Sequence, residues 1–308
     1  MINRVIWLTT ILMLFYSCEE ELPFDSILES INFNDLDLNT EFAAGTTVAA
    51  DEILNTSTVT LAWEGGEDSR EFNYKLVLDG YGDLLVTQDY FEWKEDWIEN
   101  TNITFDNLDE GTYKFYVKSR FSTLSESEPI TLDFTIDAIE GPALRMYPRK
   151  QTVTTGGEFE IYLMAEDISC NNSSQIDVFA IEAILDYGSN LSFQSSSTGL
   201  LVSTYEAEWC EKIPSQCPEI LEPTHDDSSN DLLTISIAIA PLSEDNPGLQ
   251  GTDAIMKLTF KYQGSDPSTT INIDAGLLAN PFSGDSNEII VNEIASEKRV
   301  SGSIQVSQ

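Results

Sequence analysis

Basic residues are scarce in this chain of 308 residues: 15 Lys and Arg stand against 53 Asp and Glu, for a formal charge of −38. A surface of that sign repels phosphate backbones and anionic head groups, so nucleic acid is excluded as a partner. His225 is the only histidine, and no CxxC pair accompanies it, so the chain has no zinc set. A nucleophilic triad fails for a related reason. His225 sits in the polar run Thr224-His-Asp-Asp-Ser-Ser229, with no rigid element to orient a catalytic group. No glycine-rich loop opens a helix to cradle phosphate. Carboxylates abound, but no spacing singles out a pair set across a cleft, as glycoside hydrolysis requires. These absences describe a protein that is not an enzyme and carries no cofactor.

Long apolar runs are missing as well. The run from Val5 to Tyr16 follows Met1-Ile-Asn-Arg4 and ends at Ser17-Cys18. It falls short of the ~20 apolar residues that span a bilayer. A short basic start and a brief apolar run describe a secretory signal, here residues 1–17. Leu14-Phe-Tyr-Ser-Cys18 resembles a bacterial lipobox, which implies lipid attached at Cys18. Glu19-Glu20-Glu21 resembles the surface-export signal of Bacteroidetes-type lipoproteins; a solvated acidic tail is the other reading. Together they place the chain in the cell envelope, anchored to the outer membrane and surface-exposed.

Cysteine is sparse, with four in all. Beyond Cys18 remain Cys170, Cys210 and Cys217, in a compartment where thiols oxidise. Cys210 and Cys217 are near enough to close a small loop, which contributes roughly 2.5 kcal/mol on the chain-entropy model. Cys170 with either one is the alternative, and the odd count leaves one thiol over.

What is abundant is β pattern. Residues 18–45 read as an acidic tether. Over 46–140, Thr58–Trp63, Phe72–Leu78, Thr112–Val117 and Ile130–Ile136 alternate apolar and polar residues and are rich in β-formers. Gly141-Pro142 reads as a junction between two self-contained halves. Over 141–308, Glu158–Leu163, Val178–Tyr187, Leu232–Ile239, Ala254–Tyr262 and Gly302–Val306 continue the series. The fold class is all-β, with two β-sandwiches in tandem.

Trp63 on an early strand, and Asn107-Leu-Asp-Glu-Gly-Thr-Tyr113 running into another, make the first half resemble an immunoglobulin-like domain of fibronectin type III kind. The resemblance implies a buried tryptophan and a tyrosine whose hydroxyl bonds back to nearby backbone. The second half resembles a cohesin domain, a jelly-roll sandwich of the carbohydrate-binding superfamily. The likeness rests on the order of Gly156-Gly157, Asp186-Tyr187, Leu191–Phe193, Gly251 before Leu258-Thr-Phe260, and Gly302, Ile304 and Val306. It implies a dockerin-like protein partner and a link to polysaccharide capture or breakdown. One departure is the long connection over 203–230, with Trp209, Cys210, Cys217 and Asp226-Asp227. Loops of that length are functional or disordered.

Trp209 is a candidate ligand-binding residue on that connection, and Trp93 and Trp97 are candidates in the first half. Aromatic faces stack on sugar C–H groups while polar neighbours bond hydroxyls. The competing role for Trp93 and Trp97 is to cap the sandwich core. The acidic runs Asp226–Asp231 and Ser243–Asn246 are candidate calcium sites without EF-hand spacing. The chain reads as a non-catalytic binding protein for a protein or glycan partner, with a structural or adhesive surface lipoprotein as the alternative. Cys18→Ala is expected to release the protein from membranes or block its maturation. Membrane fractionation and the state of the leader check this; unchanged fractionation with normal cleavage removes the anchor.

Overall fold

The computed structural model describes residues 35–123, 125–168, 178–212, 219–229, 231–240, 248–280 and 290–307. Cys18, Glu19–Glu21, Cys170, Cys217 and Ser243–Asn246 lie outside them. No helix among the described residues is long and apolar enough to cross a membrane.

The first sandwich packs two antiparallel-based sheets. One holds β1 (Thr40–Phe42), β3 (Val59–Gly65) and β5 (Asn102–Phe105), in the order β1-β3-β5. The other holds β2 (Glu52–Leu54), β8 (Ile130–Ile136), β6 (Gly111–Ser122) and β4 (Glu71–Asp79), in the order β2-β8-β6-β4, with β7 (Ser125–Glu126) beside β6. Strand alternation sends Leu61 and Trp63, Phe72 and Leu76, Phe115 and Val117, and Leu132 and Phe134 into one core. Trp63 lies within 6.1 Å of the rings of Phe72, Tyr74 and Phe115. β1 corrects the tether's extent: Thr40–Phe42 pairs with Trp63–Gly65, so sandwich structure begins before residue 46. Glu41 and the polar residues around it hid a three-residue edge strand.

Tyr113 takes the place expected of it. Its ring is fully buried and stacks on Phe134, with centroids 5.6 Å apart. Its hydroxyl donates to the Asp109 carbonyl at 3.1 Å. The turn before it needs Gly111 at φ +132, where a Cβ would meet Leu78 at 2.9 Å.

The second sandwich has one sheet ordered β13-β16-β11-β9-β19, from Leu191–Thr198, Gly251–Tyr262, Glu158–Ile168, Ala143–Tyr147 and Arg299–Val300. The facing sheet is ordered β10-β20-β17-β12-β15-β14, from Lys150–Thr154, Gly302–Ser307, Ser268–Asn280, Ala180–Asp186, Leu232–Ala240 and Glu219–Ser229. β18 (Ile290–Glu293) pairs with β17. Ile161 and Leu163, Ile181 and Leu185, Ile235 and Ile237, and Leu258 and Phe260 fill the space between.

The connection expected over 203–230 is largely regular structure. Helix α1 spans Leu200–Lys212, and β14 follows. Leu201 and Val202 reach the core and Tyr205 packs at its edge, so only the first turns are apolar and no sustained helical period is visible. Trp209 and Cys210 fall on α1 and His225 on β14. β14 reads as a loop because it is acidic and holds Pro223. It is an edge strand against β15, and its register shifts between Leu221 and Thr224, where a missing N–H costs no ladder bond.

The two halves pack against each other. Tyr147, Tyr162, Met164 and Ala254 of the second sandwich belong to the core cluster of the first. All five residues of β9 are buried, Leu144 and Met146 against their own sandwich and Arg145 and Tyr147 toward the other. Gly141-Pro142 turns the chain between two surfaces that share one core.

Tyr113→Phe is expected to lose about 1 kcal/mol, the net value of one hydrogen bond. Tyr113→Ala is expected to lose about 3–5 kcal/mol through the cavity it leaves. Chemical denaturation separates the two; small and equal losses would contradict the packing described.

Candidate functional site

The outer face of the β17-β12-β15 strands is the surface best suited to recognition. Side chains on a strand alternate faces. With Ile181, Ala183 and Leu185 turned inward, Ala180, Glu182 and Ile184 point out. Cross-strand pairing puts Ala238, Ser236 and Thr234 of β15 opposite them on one side, and Ala279, Leu277 and Ala275 of β17 on the other. All nine are partly exposed. The result is a flat patch of short, mostly apolar side chains with one carboxylate near its centre. Glu182 accepts a hydrogen bond from Ser236 Oγ at 3.2 Å. In a chain of charge −38 a patch of nine residues with a single carboxylate stands out. Sequence reading gave the strands, but not that their outward residues would line up three strands wide. Only the register shows that.

Trp93 and Trp97 do not cap the core. Phe91 is buried in that role, with Tyr90 packed beside it. The two tryptophans lie half-buried over the outer face of β4 and β6. Lys75 and Lys118 stand 5.3 and 4.9 Å from the Trp93 ring centre, and Lys118 and Arg120 stand 5.2 and 4.3 Å from that of Trp97. Asn73 clamps the same segment through both backbone atoms of Lys94, at 2.7 and 3.1 Å. Each ring thus has two cations of its own chain within cation–π range, which holds the segment to the sheet. Trp209 falls on α1.

Titratable groups concentrate where the sandwiches meet. Arg145, 1 % exposed, donates from Nε to Glu166 Oε2 at 2.5 Å and from Nη2 to the Tyr81 hydroxyl at 2.9 Å. Tyr81 donates to the Glu110 carbonyl at 2.7 Å and stacks on Tyr147, with centroids 4.1 Å apart. Thr252 donates to the other Glu166 oxygen at 3.0 Å. Burial works against the Arg145 charge, but Tyr81, Glu166 and Asp109 around it push its pKa up. Asp109 accepts from the Arg149 amide at 2.9 Å. Burial raises its carboxyl to about 7, against the pull of Arg145 and Arg149. Burial also raises Glu110. Among the described residues no group of three or more His, Cys, Asp or Glu is arranged to hold a metal ion. The acidic run at 226–229 is part of β14 and not of a loop.

No protein-family model matches the chain, and no curated protein does. Solved structures similar to part of it include a cohesin module from a Clostridium perfringens glycoside hydrolase, at 12 % identity and TM-score 0.36, covering 54 % of this chain and 98 % of that one. A cohesin from Pseudobacteroides cellulosolvens matches at 15 % identity and TM-score 0.35, over 53 % and 90 %. A non-cellulosomal cohesin from the archaeon Archaeoglobus fulgidus matches at 13 % and 0.33, over 54 % and 91 %. The likeness covers about half of this chain, and no ligand or partner is carried over from it.

The Asp109 carboxyl gives the junction a pH dependence. A free aspartate titrates at 3.8 and the folded one at about 7, so between these values the folded chain holds a proton that the unfolded chain has lost. Stability therefore falls as pH rises through that window. Asp109→Asn keeps an acceptor for the Arg149 amide and removes the charge. It is expected to flatten this dependence and to stabilise the protein above pH ~7 by on the order of a few kcal/mol. Denaturation across the window checks it; an unchanged slope would place the titration elsewhere.

Proposed function

We propose that the chain is a lipid-anchored, non-catalytic binding protein of the cell envelope, whose second sandwich is a cohesin-like module for a dockerin-type protein partner. The observation that carries this reading is the mostly apolar face around Glu182. The outer face of the opposite sheet is already occupied in part, because Arg145, Tyr147, Tyr162 and Met164 pack against the first sandwich. That leaves the β17-β12-β15 face to an external partner, and it is built like the desolvated centre of a protein interface, short of charge and low in relief. The cohesin-like order of motifs in the sequence supports the same conclusion. So does the immunoglobulin-like first half, which serves as a spacer between the anchor at Cys18 and the module. A link to polysaccharide capture follows if the partner carries a hydrolase.

A structural or adhesive role is the second reading. It is favoured by the packing at the junction, where Tyr147, Tyr162, Met164 and Ala254 join the core cluster of the first sandwich.

Pull-down of dockerin-bearing secreted proteins by the soluble chain tests the first reading. Ala238→Arg and Leu277→Asp, on partly exposed positions, are each expected to cut capture at least about tenfold, since charge at the centre of an interface costs on the order of 2 kcal/mol or more. Thermal midpoints are expected to stay close to that of the parent. Loss of capture with Trp209→Ala and full capture by both face variants would move the partner to α1.

A further inference from the structure

A cleft of about 540 Å³ lies where the sandwiches meet, within the range of roughly 300–1,000 Å³ that concave binding sites have. Ile53 of β2 and Leu200, which opens α1, line it, one from each sandwich, and they are 68 % and 48 % exposed. They are two of the four large apolar side chains left that open among the described residues. Leu85, 40 % exposed, is a third, and it follows Leu84, which also lines the cleft. Exposed large apolar side chains gathered round one concavity mark an interaction surface.

The accessible charge around these side chains is of one sign. Asp79 ends β4, Asp83 lies in the short 3₁₀ turn after it, Asp137 follows β8 and Asp253 is on β16, and all four line the cleft. Asp79, Asp83 and Asp137 are exposed, and Asp253 is half-buried. Among the described residues none of the four is in an ion pair. Arg145 is the one cation in that lining; it is 1 % exposed, and its Nε meets Glu166 at 2.5 Å. A ligand entering the cleft therefore meets carboxylates. Clefts lined by one sign of charge focus their field and gather ligands of the other sign.

We propose that this cleft docks a basic, apolar peptide segment of a partner protein, with an apolar side chain against Ile53 and Leu200 and flanking lysines or arginines on Asp79, Asp83 and Asp137. Lysine and arginine suit such a rim, because their methylene stems cover apolar surface while their charged ends stay in water beside the carboxylates. Acidic peptides and anionic glycans are repelled. A second copy of this chain is a poor occupant, with 15 basic residues against 53 acidic ones. None of the nine residues of the β17-β12-β15 face lines the cleft, so the site stands whether or not a dockerin-type partner binds there. It uses residues of both sandwiches, so neither half contains it alone.

Calorimetric titration of the soluble chain, with both sandwiches present, tests the site. The probe is a short blocked peptide of alternating lysine and leucine. Peptides with serine in place of leucine, or with glutamine or glutamate in place of lysine, are the comparisons. The lysine–leucine peptide is expected to saturate at one site per chain, and each comparison to bind at least about tenfold more weakly. Ile53→Ser with Leu200→Ser, and Asp79→Asn with Asp83→Asn, are each expected to weaken the probe at least about tenfold, with thermal midpoints close to that of the parent. Glu158→Gln with Glu293→Gln removes as much charge from exposed positions outside the cleft, and is expected to leave affinity within about twofold. Absence of saturation, equal binding of the lysine–serine or glutamine–leucine peptide, or unchanged affinity in both cleft variants overturns the proposal. So does an equal loss in the Glu158 and Glu293 variant, which would assign binding to the overall charge.

Discussion

A guanidinium with 1 % of its surface exposed dictates how this molecule is assembled. Burying a charge is costly unless it is paired and hydrogen-bonded. Arg145 meets that condition only with help from both sides: Glu166 on its own sheet and the Tyr81 hydroxyl on the other sandwich. Either sandwich alone would leave the charge short of partners. The stacked Tyr81 and Tyr147 rings close over it, and Arg149 reaches back to Asp109 and to the Leu108 carbonyl. The junction is therefore a mixed polar and aromatic core, and it fixes how the two sandwiches sit.

That constraint distributes the remaining surfaces. β9 and part of β11 are covered on both faces, so that sheet keeps an open outer side only toward β16 and β13. Among the described residues, the outer side of the β17-β12-β15 strands stays partly exposed. A cleft lined by residues of both sandwiches, Ile53 and Leu200 among them, lies beside Arg145.

Charge follows a parallel logic. Cations are few, and many serve inside the fold. Lys75, Lys118 and Arg120 interleave with Trp93 and Trp97, while Arg145 and Arg149 knit the junction. Salt bridges such as Arg120–Glu71 at 2.7 Å and Lys118–Glu126 at 2.5 Å occupy the ladder's outer ends. Exposed pairs of this sort contribute little each. Their effect here is to withhold positive charge from solvent, so the mostly apolar patch around Glu182 sits on an otherwise acidic molecule. Such a surface discriminates by shape and burial, and it discourages anionic competitors.

The sequence by itself determined the fold class, because alternation with period two is written into strands such as Thr112–Val117 and Ile130–Ile136. It also placed Trp63 and Tyr113 in the core, since turn chemistry and strand phase are local properties. It did not reveal α1 or β14. The core contacts of the helix among the described side chains lie on its first turns, and the edge strand is held by backbone pairing that leaves no mark on side-chain pattern. Nor did it reveal the junction. Arg145 and Tyr81 are distant in sequence, and an arginine flanked by Leu144 and Met146 reads as one polar residue on an alternating strand. Whether its outward side meets water or a second sandwich is a fact about three dimensions. Local periodicity decided which way each side chain points, and only tertiary structure decided what lies there to meet it.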